Sequence, residues 1–122
     1  MSSPNAAPIF LVGHGHIDPV WLWRWEEGFH TVLATFAAAA DLLDEYPHAV
    51  FAGSSAQFYA WVEEVDPELL SRIRAHVEAG RWRIVGGWWV EPDCNIPSGE
   101  ALIRHGLYGQ RFFQQRFGVK AT

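Results

Sequence analysis

The sequence is poor in three features that would each assign it to a class of protein. A single cysteine, Cys94, stands among 122 residues, so no internal disulfide can form and nothing suggests an oxidising compartment. Lysine and arginine total nine, and the net charge of −5 argues against nucleic acid or anionic membrane as a partner. No window approaches the roughly 18 continuous apolar residues of a membrane span. The first ten residues also lack the charged and apolar regions of a signal peptide, so we expect a cytoplasmic protein.

Aromatic residues, by contrast, are abundant, with seven tryptophans and eight phenylalanines. The hydrophobic fraction of 49% rules out a disordered chain. A core of this size does not easily bury so many rings. Surplus aromatic surface is typical of carbohydrate sites, because a ring face matches the apolar C–H face of a sugar. It is equally typical of surface that packs against more protein. Composition alone leaves both interpretations open.

The order of apolar runs and helical patterns predicts an α/β fold made of parallel-sheet β/α repeats. Short apolar runs predict three strands, and apolar spacings of three and four predict the helices. Asp66 and Ser98 are predicted to cap the last two helices, with Gly80 and Gly118 at their ends. The predicted strands cover residues 8–13, 49–55 and 81–90, and the predicted helices cover residues 20–46, 56–64, 67–79 and about 99–118.

The number of strands bears on domain organisation. Residues 1–122 are expected to form a single segment, with residues 1–7 as a flexible N-terminus. Three parallel strands are few for such a sheet, which usually has several neighbours and both faces covered. A closed barrel of alternating strands and helices takes about 250 residues. We therefore expect the first part of a (β/α)-type barrel, the N-terminal and incomplete portion of a larger domain.

Three side chains that can bind metals, His14, His16 and Asp18, follow the first apolar run. If the strand continues to Asp18, its period of two places all three on one face. They would lie at the carboxyl end of the strand, where α/β folds bind ligands. Imidazole nitrogen and carboxylate oxygen suit zinc or another divalent first-row metal. The alternative is a polar strand end at which Asp18 caps the next helix, and both interpretations stay open.

A second acidic segment, EPDCNIPSGE, follows the third predicted strand. Asp93 lies in a turn bounded by prolines, and Glu91 precedes it by two residues, so an extended chain would place both carboxylates on one face. A carboxylate at this point can complete a metal site or act as a nucleophile. The alternative is an ordinary turn aspartate.

Two long segments carry a resemblance to a known family. HGHIDPVWLW, residues 14–23, resembles the H-x-H-x-D-P-x-W opening of the family 38 glycoside hydrolases, the zinc-dependent α-mannosidases. GGWWVEPDCNIPSGEALIRHGLYGQRFF, residues 86–113, is similar to the segment that carries their catalytic nucleophile. SSAQFYAW, residues 54–61, resembles the strand and helix between them. The resemblance covers the chain from Pro8 onward but only the beginning of the family's catalytic domain.

The resemblance implies a role for five residues of this chain. His16, Asp18 and Asp93 would bind a zinc ion, and Asp93 would also be the catalytic nucleophile. Trp21 would line the sugar pocket, and His14 would support the site without being the main ligand. The implied reaction is the retaining hydrolysis of terminal α-mannosides, in which zinc orients the sugar through its hydroxyl groups.

The resemblance also implies partners, namely a mannose-containing oligosaccharide or glycoside and the remainder of the catalytic domain. The family's other zinc histidine and its acid/base aspartate match no residue here, so the 122-residue segment is expected to be inactive by itself. His30 and His105 fit helical faces and are expected to be surface or packing residues. Two other functions stay open: a metal-dependent deacetylase-type hydrolase, and a non-catalytic carbohydrate-binding or interaction module.

Overall fold

A computed structural model describes residues 7–121 of the chain. Within these residues the elements follow the predicted order, β-α-β-α-α-β-α. The strands are β1 (Gly13–His14), β2 (Phe51–Gly53) and β3 (Trp82–Ile84), and the helices are α1 (Trp25–Glu45), α2 (Ala56–Val65), α3 (Pro67–Glu78) and α4 (Gly99–Phe117). None of these helices is long and apolar enough to cross a lipid bilayer. The expected flexible N-terminus, residues 1–7, lies outside the described residues except for Ala7.

The strands form one parallel sheet in the order β1-β2-β3. Gly13 pairs with Phe51, and Phe51 pairs in turn with Trp82. The predicted α/β class with a parallel sheet is therefore confirmed. Both outer edges of this sheet are without a neighbouring strand among residues 7–121, so the barrel stays a prediction.

The core between the sheet and the helices contains a cluster of aromatic rings packed among aliphatic side chains. Phe36 of α1 meets Tyr59 of α2 and Trp82 of β3 edge to face, at centroid separations of 5.0 and 5.1 Å. The Trp82 indole N–H donates to the Tyr59 hydroxyl oxygen over 2.8 Å, so the buried donor has a partner. Burial raises the pKa of the Tyr59 hydroxyl above its ordinary value. Part of the aromatic surplus is thus core packing.

Local capping signals define the starts of α3 and α4 as predicted. Asp66 Oδ1 accepts the backbone N–H three residues later over 2.9 Å, and Pro67 is the first residue of α3. Ser98 Oγ accepts the N–H three residues later over 3.3 Å at the start of α4. Gly118 ends α4 with a φ of 69°, a left-handed conformation that favours glycine.

The first strand is much shorter than predicted. The sequence predicts a buried strand over residues 8–13, but only Gly13 and His14 pair with β2. The preceding apolar residues are exposed, and the side chain of Leu11 is 90% exposed. The physical reason is that an apolar pattern indicates a tendency to be buried without specifying the partner. Within residues 7–121, no strand lies on the outer side of β1.

The other two strands end early because the backbone turns. β3 stops at Ile84, although the pattern predicts residues 81–90. Gly86 and Gly87 have φ values of 76° and 67°, which take the chain out of the extended conformation. β2 ends at Gly53 rather than at Ser55, which has a φ of 63° where the chain turns into α2.

Helix α1 begins five residues later than predicted, at Trp25. The first turn of α1 packs directly on the preceding segment. Gly28 lies so close to it that an added Cβ would overlap the Pro19 carbonyl oxygen. The Trp23 indole N–H donates to the Asp18 carbonyl oxygen over 3.1 Å and folds the segment back. The residues between β1 and α1 therefore form a compact bend rather than the start of the helix.

Candidate functional site

Polar side chains gather at the carboxyl end of the sheet, where all three strands lead into loops. A cleft of about 430 Å³ lies at this end, and parallel α/β sheets bind ligands there. Residues at or just after the end of each strand contribute to the wall of the cleft. The lining residues are His14, Ser54, Ser55, Val85, Gly86, Trp88, Glu91, Pro92 and Cys94.

His14 is the last residue of β1 that pairs with β2, and its side chain also bonds to β2. Its Nδ1 lies 2.8 Å from the carbonyl oxygen of Ala52, the residue paired with it across the ladder. Because a carbonyl oxygen only accepts hydrogen bonds, Nδ1 is the donor in this bond. The strand does not continue to Asp18, so the expectation that His14, His16 and Asp18 share one strand face is wrong.

The compact bend after β1 nevertheless brings His16 and Asp18 together. His16 Nε2 lies 3.3 Å from Asp18 Oδ1. Two ligand atoms, each about 2.0–2.1 Å from a tetrahedral zinc ion, are roughly 3.4 Å apart, so this distance fits a shared ion. Ile17 between them is buried against the core, and the side chains of its two polar neighbours are about half exposed.

The other ring nitrogen of His16 faces a carboxylate from a different loop. Glu91 Oε2 lies 3.4 Å from His16 Nδ1, so the imidazole stands between Glu91 and Asp18. Within residues 7–121, neither carboxylate forms an ion pair with an arginine or lysine. The resulting excess of negative charge favours the binding of a cation. The sequence signal for Glu91 is only its position two residues before Asp93.

Asp93 lies in the loop between β3 and α4, within an Asx turn. Its Oδ1 accepts the backbone N–H groups of Asn95 over 2.7 Å and Ile96 over 3.2 Å. Residues 91–93 do not form a strand, so the expectation that Glu91 and Asp93 share a strand face is wrong. The turn holds an exposed carboxylate in one orientation, and its roles as nucleophile and metal ligand stay predictions.

The structure brings two candidate metal-binding side chains, His16 and Asp18, close to each other. No group of three or more His, Cys, Asp or Glu side chains in the described part of the chain is arranged to hold a metal ion. The donor atoms of His16 and Asp18 fit two of the positions that zinc requires, in chemistry and in spacing. Completion of the coordination shell needs further groups.

Helix α2 holds one side of the loop that carries Glu91 and Asp93. The first two backbone N–H groups of α2, which are without acceptors inside the helix, donate to the carbonyl oxygens of Trp88 and Trp89 over 3.0 and 2.9 Å. The Trp89 indole N–H also donates to Gln57 Oε1 over 2.8 Å. The start of α2 therefore determines where the loop leaves the sheet.

Helix α4 holds the same loop from the other side. The His105 carbonyl oxygen accepts the Trp89 N–H over 3.0 Å, and His105 Nδ1 accepts the Val90 N–H over 3.4 Å. A Cβ added to Gly109 would overlap the Gly87 carbonyl oxygen, so helix and loop are in direct backbone contact. His105 packs as expected from its helical face, and this packing places the residue before Glu91.

Trp21 lies on the exposed bend that leads to α1. Its side chain is 66% exposed, and its ring meets that of Trp23 edge to face at 5.5 Å. An exposed indole face is available to pack against a sugar ring, and this role of Trp21 stays a prediction. His30, further along α1, is exposed, as expected of a surface residue.

Comparisons of sequence relate the chain to named hydrolases. The family model described as the glycosyl hydrolases family 38 N-terminal domain matches residues 6–122. The chain is 44% identical to alpha-mannosidase G of Dictyostelium discoideum over 121 residues, which are 99% of this chain. It is also 44% identical to human alpha-mannosidase 2C1 over 110 residues, or 90% of this chain. The chain spans about 11% of the length of each of these relatives.

The fold also has a counterpart among solved structures. The crystal structure of an alpha-mannosidase from Enterococcus faecalis V583 matches 91% of this chain and 12% of that chain, with a TM-score of 0.79. The sequence identity is 23%, so this match concerns the fold alone. Because the family model extends over every described residue, the chain belongs to glycosyl hydrolase family 38.

Proposed function

We propose that this chain forms part of the active site of a retaining α-mannosidase that hydrolyses terminal α-mannosides. The observation that supports the proposal most directly is the pair of His16 Nε2 and Asp18 Oδ1, 3.3 Å apart at the carboxyl end of the sheet. Membership of glycosyl hydrolase family 38 supports the reaction class. The remainder of the catalytic domain is the proposed partner, and a cytoplasmic location stays an expectation from the sequence.

The proposed cofactor is one zinc ion, with His16, Asp18 and Asp93 as ligands. When bound, zinc supplies a Lewis acid that orients the sugar through its hydroxyl groups. His16 and Asp18 offer one nitrogen and one oxygen donor on a bend that Ile17 and the Trp23 indole hold in place. The fourth ligand would come from the remainder of the domain.

Asp93 is the proposed nucleophile. Its Oδ1 is held by two backbone N–H groups, while its Oδ2 accepts no hydrogen bond from residues 7–121 and is free to attack. As Oδ2 bonds to the anomeric carbon, the glycosidic C–O bond breaks and an acid/base carboxyl group in the remainder of the domain protonates the leaving oxygen. Water then releases the sugar with retained configuration. Trp21 would supply an apolar wall for the ring.

The test is Asp93→Asn in the intact enzyme, assayed with an aryl α-mannoside. We expect turnover to fall by on the order of 10³-fold or more, because the covalent intermediate cannot form. Glu100→Gln, an exposed change on α4, is the control and should leave turnover intact. A fluorinated mannosyl fluoride that forms a slow-hydrolysing adduct should label the peptide containing Asp93. Substantial turnover by the Asp93→Asn enzyme would refute the nucleophile assignment.

Two other functions give different results in the same experiments. A non-catalytic carbohydrate-binding module is favoured by the exposed rings of Trp21 and Trp25, which are 66% and 53% exposed, and predicts mannoside binding without turnover. A metal-dependent deacetylase-type hydrolase activates water at the metal, so it predicts that Asp93 stays unlabelled. A labelled Asp93 decides against both.

A further inference from the structure

We infer that Glu91 is a positioning residue that orients His16 for metal binding. The inference rests on the proposed zinc site, in which His16 is a ligand. The two ring nitrogens of His16 face two different carboxylates. Nε2 lies 3.3 Å from Asp18 Oδ1, and Nδ1 lies 3.4 Å from Glu91 Oε2.

The shape of the imidazole ring separates the roles of these carboxylates. Its two nitrogens point in different directions, so one ion cannot bind both. Asp18 is held on the same bend as His16, through buried Ile17 and the bond from Trp23, and so forms a chelating pair with Nε2. Nδ1 then faces Glu91, 3.4 Å away. A hydrogen bond formed from Nδ1–H to this carboxylate when zinc binds Nε2 would fix the ring plane and make Nε2 a stronger donor.

The surroundings of Glu91 suit an orienting role rather than a stabilising one. The two residues before Glu91 are held by the helices. The Val90 N–H donates to His105 Nδ1, and Trp89 contacts both α2 and α4. The side chain of Glu91 is 64% exposed, and His16 is the one basic side chain within ion-pair distance of it among residues 7–121. An exposed ion pair contributes little to folding stability. Loss of the Glu91 carboxylate should therefore alter metal binding and leave the fold intact.

The experiment compares Glu91→Ala and Glu91→Gln with the unsubstituted intact enzyme. Zinc affinity is measured by competition with a chromophoric chelator, and thermal unfolding is followed on the metal-free proteins. We expect zinc to bind about 10–100-fold more weakly to Glu91→Ala, the usual effect of losing such a carboxylate. Glu91→Gln should lose less, because its amide oxygen still accepts Nδ1–H. Glu78→Gln, an exposed change at the far end of the sheet, is the control and should leave zinc affinity unchanged.

X-ray absorption of the zinc-loaded proteins separates positioning from direct coordination. The number of zinc ligands should be the same in Glu91→Ala as in the unsubstituted enzyme, while Asp18→Asn should alter the coordination shell. Unchanged zinc affinity in Glu91→Ala, or a ligand lost from its zinc, would overturn the inference and leave the α-mannosidase proposal standing. Failure of the unsubstituted enzyme to bind zinc would overturn both.

Discussion

Gly109 lies where α4 meets the loop after β3, and it has no room for a side chain. A Cβ added there would overlap the Gly87 carbonyl oxygen and the backbone of Trp88 and Trp89. Backbone atoms cannot move aside as the end of a flexible side chain can. The close approach of α4 to this loop therefore requires glycine at position 109. The position of Glu91 depends on this approach.

The first prediction concerns this glycine. Gly109→Ala should lower the free energy of unfolding by about 1–3 kcal/mol, because an overpacked contact forces the helix and loop apart. The matched control is Gly99→Ala in the same helix, where an added Cβ meets nothing within 4 Å. That change should be neutral or slightly stabilising, since alanine favours helix more than glycine does. Urea unfolding of both variants checks the prediction, and equal stabilities would contradict it.

Helices α1 and α3 are joined by an exposed salt bridge. Arg72 Nη2 of α3 donates to Asp41 Oδ1 and to Asp44 Oδ2 of α1, both over 2.7 Å. The hydrogen bond from Arg72 is the main cause that lowers the pKa of the Asp44 carboxyl below its ordinary value of 3.8, against an opposing contribution from desolvation. A carboxyl group with a lowered pKa stabilises the fold above its unfolded pKa, and this contribution is lost as the pH falls through the folded pKa.

The second prediction is a pH dependence of this bridge. Arg72→Ala should unfold at a lower temperature than the unsubstituted protein at neutral pH. The difference should shrink as the pH falls from 3.8 through the lower pKa that Asp44 has in the folded protein. Thermal unfolding followed by circular dichroism at several pH values measures it. A gap in melting temperature that stays constant at acidic pH would show that lost packing of the arginine stem, rather than the charge, is responsible.

The sequence predicts the elements well where their signals are local. The caps Asp66 and Ser98 and the helical spacings act within a few residues, so the order of helices and strands follows from them. Strand lengths depend on the neighbours that pair with them and on backbone turns. Glycines 86 and 87 permit left-handed conformations but do not require them, so the end of β3 could not be predicted from the residues alone.

The candidate site likewise has one part that the sequence predicts and one part that it does not. His16 and Asp18 are separated by one residue, so their proximity follows from the motif, although a bend rather than a strand brings them together. The contact between Glu91 and His16 joins two distant loops, and it depends on how α2 and α4 hold the second loop. A pattern in the sequence contains no information about such a contact until the loops have been placed in three dimensions.

For the whole molecule, the outer side of β1 and α1 presents a large apolar surface. A groove of about 780 Å³ runs along it and is lined mainly by apolar side chains, among them Leu11, Val12, Ala38 and Leu42. Leu11 is 90% exposed and Val12 is 57% exposed. A large exposed apolar surface promotes association with other chains. The proposed partner, the remainder of the catalytic domain, would bury such a surface.

The third prediction is that the 122-residue chain associates with itself through this surface when it is produced alone. Leu11→Lys should lower the average mass measured by analytical ultracentrifugation at a given concentration, because it places a charge on the apolar edge. Ala75→Lys adds the same charge on an exposed position of α3 and serves as the control. If both lysine variants associate as much as the unsubstituted chain, another surface is responsible.

The support that α4 gives to the loop after β3 also bears on the order in which the chain is synthesised. The bend with His16 and Asp18 packs on the first turn of α1, so it can form early, while later elements are still being made. The loop with Glu91 is synthesised before α4 but is tied to His105 and Gly109, which come after it. The two sides of the candidate metal site would therefore form at different times during translation. A cation that arrives early would meet His16 and Asp18 before Glu91, the residue proposed to orient His16.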